Sequence, residues 1–230
     1  MAMLREFCAE NMEHVPAAIA AGAGRIELCD NLAVGGTSPS YGVMRAAVSY
    51  AAEYGVAVMA MARPRGGNFV YTEAETQMLI DDVAVARRLG VTGVVFGCVR
   101  RTENGPAAID VDLTSRLVEA AKGSQATTSG KSAGAPVQVT FHMAFDALDE
   151  ERQLQAIDVL SQLGVERILT HGGAAGTPIA DNLNHLRRLI SYANGRVRIL
   201  PGGGITWQNV EMVAKVLCVE EAHGTKIVRI

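Results

Sequence analysis

The sequence predicts a TIM-type (β/α) barrel, a single domain over residues 1–230 with eight parallel strands and a short or missing C-terminal helix. Three observations predict it. Apolar stretches of helical length end on a glycine and pass at once into a short β-branched run, at Gly24, Gly55, Gly90, Gly164 and Gly195. These joints are 31, 35, 74 and 31 residues apart, the long interval holding two units by way of Gly123; one strand, one helix and two short loops need roughly 30 residues. Strand and helix alternate throughout, which calls for a parallel sheet with crossover helices. A doubly wound sheet, the competing fold, would carry a Gly-rich turn after its first strand, where Cys8-Ala9-Glu10 stands.

Strands are expected near 5–8, 25–29, 56–61, 92–97, 137–141, 166–170, 197–200 and 219–223. Asn11, Ser40, Asp110 and Thr206 are the N-caps expected for helices near 12–22, 41–54, 111–122 and 207–217. Thr72 with Glu75 forms a capping box, after which Leu79, Val83 and Ala86 share one helical face. The Gly/Ser/Ala-rich stretch 123–135 has nothing to bury and is expected to be a flexible loop at the N-terminal face, away from any chemistry. After His223 only Gly224 to Ile230 remain, too few for an outer helix. That flank is expected to be covered by a second copy, in a dimer or tetramer, or left frayed.

Composition excludes several partners. With 21 basic and 24 acidic residues and a net charge of -3, there is no electrostatic footprint for nucleic acid or an anionic membrane. The longest apolar run, Val56 to Ala62, is far short of a membrane span, and Arg5 and Glu6 interrupt the place of a signal peptide's apolar stretch. A cytoplasmic protein with its four cysteines reduced is expected. Cys98 and Cys218 are read as packing residues.

Side chains alternate along a strand, so the apolar partners fix which parity faces the helices. If Phe7, Ile26, Leu28, Val139, Phe141 and Ala222 face outward, the barrel interior receives Glu6 and Cys8, Glu27 and Cys29, Thr140 and His142, and Glu221 and His223. Burying ionisable groups is unfavourable unless they pair or bind something, so a polar interior is a candidate site. The plain alternative is a self-satisfied ion network, with Glu27 paired to Arg63 or Arg65. At the C-terminal ends of the strands, Arg63-Pro64-Arg65-Gly66-Gly67 offers two guanidinium forks, Thr170-His171-Gly172-Gly173 a tight turn, and Pro201-Gly202-Gly203-Gly204-Ile205 a run of amides able to cradle an anion. An enzyme built there would use Glu27 or His142 as acid/base, Arg63 and Arg65 as anchors, and the Gly203 and Gly204 amides as an anion cradle for a small phosphorylated or carboxylated metabolite.

Cys8 and Cys29 end adjacent strands with the same parity. Soft thiolates select Cu(I) or zinc, and Cu(I) accepts two ligands in a line; His142, His223, Met59 or Met61 would complete a third position. The bland reading is two small buried residues.

Glu6-Phe7-Cys8, Arg25 to Cys29, Gly35 to Ser40, Arg63 to Gly67, Thr140-Phe141-His142, Arg167 to Thr170 and Gly202 to Ile205, in this order and spacing, resemble the CutC family of copper homeostasis proteins. The resemblance runs from about Glu6 to Thr225 and implies a TIM-type barrel that oligomerises and handles intracellular copper, with Cys8 and Cys29 as Cu(I) ligands and no other cofactor. The mouth residues expected to touch a ligand are Arg63, Arg65, Asp146, Thr170, Gly203, Gly204 and His223. Three positions depart from the family pattern: Met143 replaces an Arg, Asn68 an Asp and His171 a Ser. A cation is thereby lost at the mouth, and the two cysteines are untouched.

Overall fold

The computed structural model describes residues 3–102, 105–123 and 137–230. Most of the loop expected over 123–135 lies outside the described residues. Eight parallel strands form one sheet: β1 (Leu4–Glu10), β2 (Arg25–Cys29), β3 (Ala57–Met61), β4 (Gly93–Phe96), β7 (Gln138–Phe141), β8 (Arg167–Thr170), β9 (Arg198–Pro201) and β10 (Glu221–Gly224). Their order is β10-β1-β2-β3-β4-β7-β8-β9. This is a barrel closed by ladder bonds everywhere except between β9 and β10, where no ladder is formed among the described residues. Above that seam, Trp207 N donates to Lys226 O at 2.7 Å.

Among the described residues seven α-helices cover the outside: α1 (Val15–Ala20), α2 (Tyr41–Glu53), α3 (Glu73–Arg88), α4 (Val111–Lys122), α5 (Glu150–Gln162), α6 (Ile179–Ala193) and α7 (Val210–Leu217). None follows β10, as the length predicts. Local chemistry explains most starts. Ser40 and Asp110 accept from Val43 N and Leu113 N, and the Thr72/Glu75 capping box is complete. Two starts differ from expectation. Asn11 stands at φ 58, in a turn, and α1 begins at Val15 behind His14; Thr206 caps only a turn, and α7 begins after Asn209. At the first joint it is Gly22, at φ 95, that takes the left-handed conformation, while Gly24 N already bonds back to Arg5 O.

One element is new. Between β4 and α4 the chain makes an antiparallel ribbon, β5 (Val99–Thr102) with β6 (Gly105–Ile109), outside the barrel. Cys98, at its base, is buried against the Thr114 hydroxyl at 3.1 Å. Cys218 is exposed at the end of α7, so it is not a packing residue.

The core is a shell between sheet and helices. Phe7, Ile26, Leu28, Val94, Phe96, Val139, Phe141, Ile168 and Ala222 all pack outward into it, with the apolar faces of the helices. Each large aliphatic or aromatic side chain so buried is stabilised by ~1.5–3 kcal/mol. The opposite parity fills the barrel with a different population: a small apolar group, Cys8, Cys29, Met59, Met61 and Val95, standing over ionised side chains. Gly93 makes room for Met59, whose Cε lies 2.2 Å from where a Cβ would stand.

Candidate functional site at the barrel mouth

Register positions the interior. Cys8 lies opposite Glu27 and Glu10 opposite Cys29, so the two thiols are diagonal neighbours on adjacent strands. Both sulfurs are 3.6 Å from Glu27 Oε1. The ligand atoms of Cys8, Glu27 and Cys29 all lie within 4.8 Å of one another, as do those of Glu6, Glu27 and His223.

Below the thiols is an ion network. Arg25 Nε donates to Glu6, and its other arm reaches Glu221 at 2.6 Å. Arg167 Nε bonds Glu221 at 3.0 Å, and its Nη1 reaches Gln138 at 2.6 Å. Glu6 Oε1 holds His223 Nδ1 at 2.8 Å, and Glu27 Oε2 is 3.9 Å from the same nitrogen. The expected pairing of Glu27 with Arg63 or Arg65 is therefore not formed. The ion pairs form one layer deeper, where Arg25 Nη2 is left without a hydrogen-bond partner, as is Glu27 Oε2.

These environments separate the titrations. Burial acts to raise Glu6, but the His223 hydrogen bond and Arg25 outweigh it and hold the carboxyl at about 2. Burial acts the other way on His223, and the charge of Glu27 with bonds to Cys8 and Glu6 raises it well above the usual imidazole value. The Cys29 thiol, hydrogen-bonded to Cys8, brings Cys8 down to about 5 against its own burial, with His223 adding to the effect. Cys29 is pushed up correspondingly, first by its bond to Cys8 and then by burial. Burial raises Glu27 to about 8.

Over this interior opens a cavity of about 600 Å³ at the C-terminal mouth. Of the residues singled out in the sequence, Cys8, Glu27, Arg63, His142, Gly203, Gly204 and His223 line it; Cys29 is fully buried behind it, and Arg65, Asp146 and Thr170 are not part of its wall. Arg63 is only 4% exposed. Its Nη1 donates to Val34 O and Gly36 O at 3.0 and 2.9 Å, its Nη2 donates to Gly67 O at 3.0 Å, and Phe69 lies 4.9 Å beneath it. Arg65 is committed to Glu75 and to the Asn68 and Val70 carbonyls. Asp146 accepts from the Thr170 hydroxyl and from His171 N at 2.9 Å, so both residues brace the loop after β8. Burial raises the Asp146 carboxyl.

His142 accepts from Ala144 N through Nδ1 at 3.0 Å, which assigns its proton to Nε2. Burial, together with the Arg63 charge, pushes this imidazole down to about 3, so it is neutral at physiological pH. Sequence reasoning did not single out Arg25, Arg167 or Lys226. The first two share parity with Glu27 and Leu169, and the alternation rule applied one residue pair lower places them inside; Lys226 lies beyond the last strand, where alternation says nothing. The Asn68 side chain accepts from Val70 N at 3.2 Å, His171 Nε2 bonds Asn182 at 3.1 Å, and Met143 lines the cavity.

No helix among the described residues is long and apolar enough to cross a membrane. A family model described as the CutC family matches residues 3–228. The chain is 52% identical over 226 residues to a CutC family protein of Enterococcus faecalis, covering 98% of this chain and 100% of that one. It is 36% identical over 220 residues to the mouse copper homeostasis protein cutC homolog, covering 96% of this chain and 72% of that one. The crystal structure of CutC from Streptococcus agalactiae superposes with a TM-score of 0.87 at 41% identity, over 98% of this chain and 100% of that one. A deoxyribose phosphate aldolase from Aeropyrum pernix, at TM-score 0.62 and 14% identity over 97% and 85% of the two chains, shares the barrel fold alone. Whole-chain sequence matches and the barrel agree: the chain belongs to the CutC family of copper homeostasis proteins.

Proposed function

We propose that this protein binds Cu(I) through Cys8 and Cys29 as part of copper homeostasis in the cytoplasm. The observation that carries the reading is the convergence of two buried, free sulfurs, within 4.8 Å of one another, at diagonal positions on adjacent strands. A soft monovalent ion held linearly by two thiolates needs sulfurs about 4.6 Å apart, taking the usual metal–sulfur length of roughly 2.3 Å. Glu27 between them is a hard ligand, which favours the thiols for a soft ion and leaves the carboxylate outside the pair. Four free cysteines fit a reducing compartment. Association of copies across the flank without an eighth helix belongs to the same reading, and sedimentation of the purified chain as a monomer would remove that part alone.

Anaerobic titration against a chromophoric Cu(I) chelator tests the metal site. Tight one-to-one binding is expected, lost in the Cys8→Ser, Cys29→Ser double variant; unchanged affinity in that variant refutes it.

A further inference from the structure

A metal held by two thiols has no use for a cavity of about 600 Å³, and the walls of this one carry polar groups that the protein leaves without partners. His142 Nε2 and Arg63 Nε are both buried with no acceptor. His142 cannot turn to find one, since its other ring nitrogen is fixed by Ala144 N and the ring sits 5.0 Å from Phe69, whereas the Arg63 guanidinium packs beside the Tyr71 hydroxyl, which is itself unpartnered. An unsatisfied buried donor costs about 1–3 kcal/mol, and His142 belongs to the cavity wall, so an oxygen acceptor held there would satisfy it. Glu27 Oε2, unpartnered on the same cavity, offers an acceptor for a hydroxyl.

The strand order places β9 across the ring from β3, and the loop after β9 supplies a different kind of recognition. The amides of Gly203, Gly204 and Ile205 donate to nothing among the described residues. Gly203 and Gly204 hold φ 77 and 72, and a Cβ on Gly203 would stand 2.9 Å from the His171 ring, so the chain there is bare backbone by necessity. Lys226 lines the same wall and is in no ion pair among the described residues. Successive free amides beside an ammonium group suit a phosphate.

We propose that the mouth binds a small phosphorylated hydroxy-carbonyl compound, its phosphate on the Gly203–Ile205 amides and Lys226 and its carbonyl oxygen on His142 Nε2. The site uses none of the atoms that hold copper in the preceding reading, so either can fail without the other. Calorimetry on the metal-free full chain with ribose 5-phosphate, dihydroxyacetone phosphate and inorganic phosphate tests it. At least one sugar phosphate binds and inorganic phosphate displaces it. Lys226→Gln, at an exposed position, weakens sugar phosphate and inorganic phosphate alike by about tenfold. His142→Asn keeps an acceptor for Ala144 N and removes the Nε2 donor; it weakens the sugar phosphate by about tenfold and leaves inorganic phosphate unchanged. No heat from any probe at millimolar concentration overturns the proposal. So does binding indifferent to both variants, or displacement by citrate as effective as by phosphate.

Discussion

Replacing Arg25 by methionine should destabilise the protein by about 3 kcal/mol at pH 7. Arg25 is 2% exposed and joins Glu6 to Glu221, the latter at 2.6 Å. Methionine keeps much of the volume and leaves two buried carboxylates each one cation short. Removing one member of a buried ion pair costs about 3–5 kcal/mol. The lower end applies because Glu6 keeps His223 at 2.8 Å and Glu221 keeps Arg167 at 3.0 Å. In a chain of this length the loss is ~6–12 °C in Tm. The pH dependence has a definite sign. Glu6 sits at about 2 in the folded protein against an ordinary 4.5, burial being outweighed by His223 and Arg25. An acid so depressed contributes stability that is complete above pH 4.5 and disappears as pH falls towards 2. The gap between wild type and Arg25→Met is therefore full at pH 7 and narrows below pH 4.5. Urea unfolding followed by circular dichroism at several pH values measures it. A variant within about 1 kcal/mol of wild type at pH 7, or a gap that stays constant into the acid range, would refute the reasoning.

Three further outcomes are expected. The ultraviolet thiolate absorbance of the metal-free protein should titrate with a midpoint near pH 5, vanish from that range in Cys8→Ser, and move to higher pH in Cys29→Ala, which removes the donor to the Cys8 sulfur. Gly97→Ala would place a Cβ 2.4 Å from His142 Nδ1, so it should displace the ring, cost about 1–3 kcal/mol in urea unfolding and abolish sugar-phosphate binding. Thr72→Ala removes one half of the α3 capping box and should cost about 1 kcal/mol, read as a fall of ~2–4 °C in Tm with Cu(I) affinity unchanged.

Much of this molecule is legible in its sequence because one rule, alternation, governs both core and site. Phe7, Ile26 and Phe141 mark the helix-facing parity so clearly that Cys8, Glu27 and His142 can face only inward. Alternation says nothing about register. That Cys8 faces Glu27, and that Arg25 falls where Glu6 and Glu221 both reach it, follow from the stagger of the barrel, which no single strand encodes. Arg65 shows the complementary failure: a guanidinium in a mouth loop reads as a ligand anchor, yet the Glu75 that completes the α3 capping box captures it from a neighbouring turn. The β5–β6 ribbon escaped because Arg100 and Arg101 give it no buried face to announce.

The interior ion network also sets a constraint on how the chain is made. Arg25 and Glu221 are 196 residues apart, and Glu6 and His223 are 217 apart, so the first two strands leave the ribosome carrying charges whose partners are translated much later. At ordinary synthesis speeds the wait is about 10–40 s. During it, a partial barrel has Arg25 short of an anion, Glu6 short of its imidazole, and the β1 edge open along its whole length. No fragment that stops short of β10 can satisfy its own interior, so the barrel closes only once β10 has been made, in one step that brings its first strand against its last.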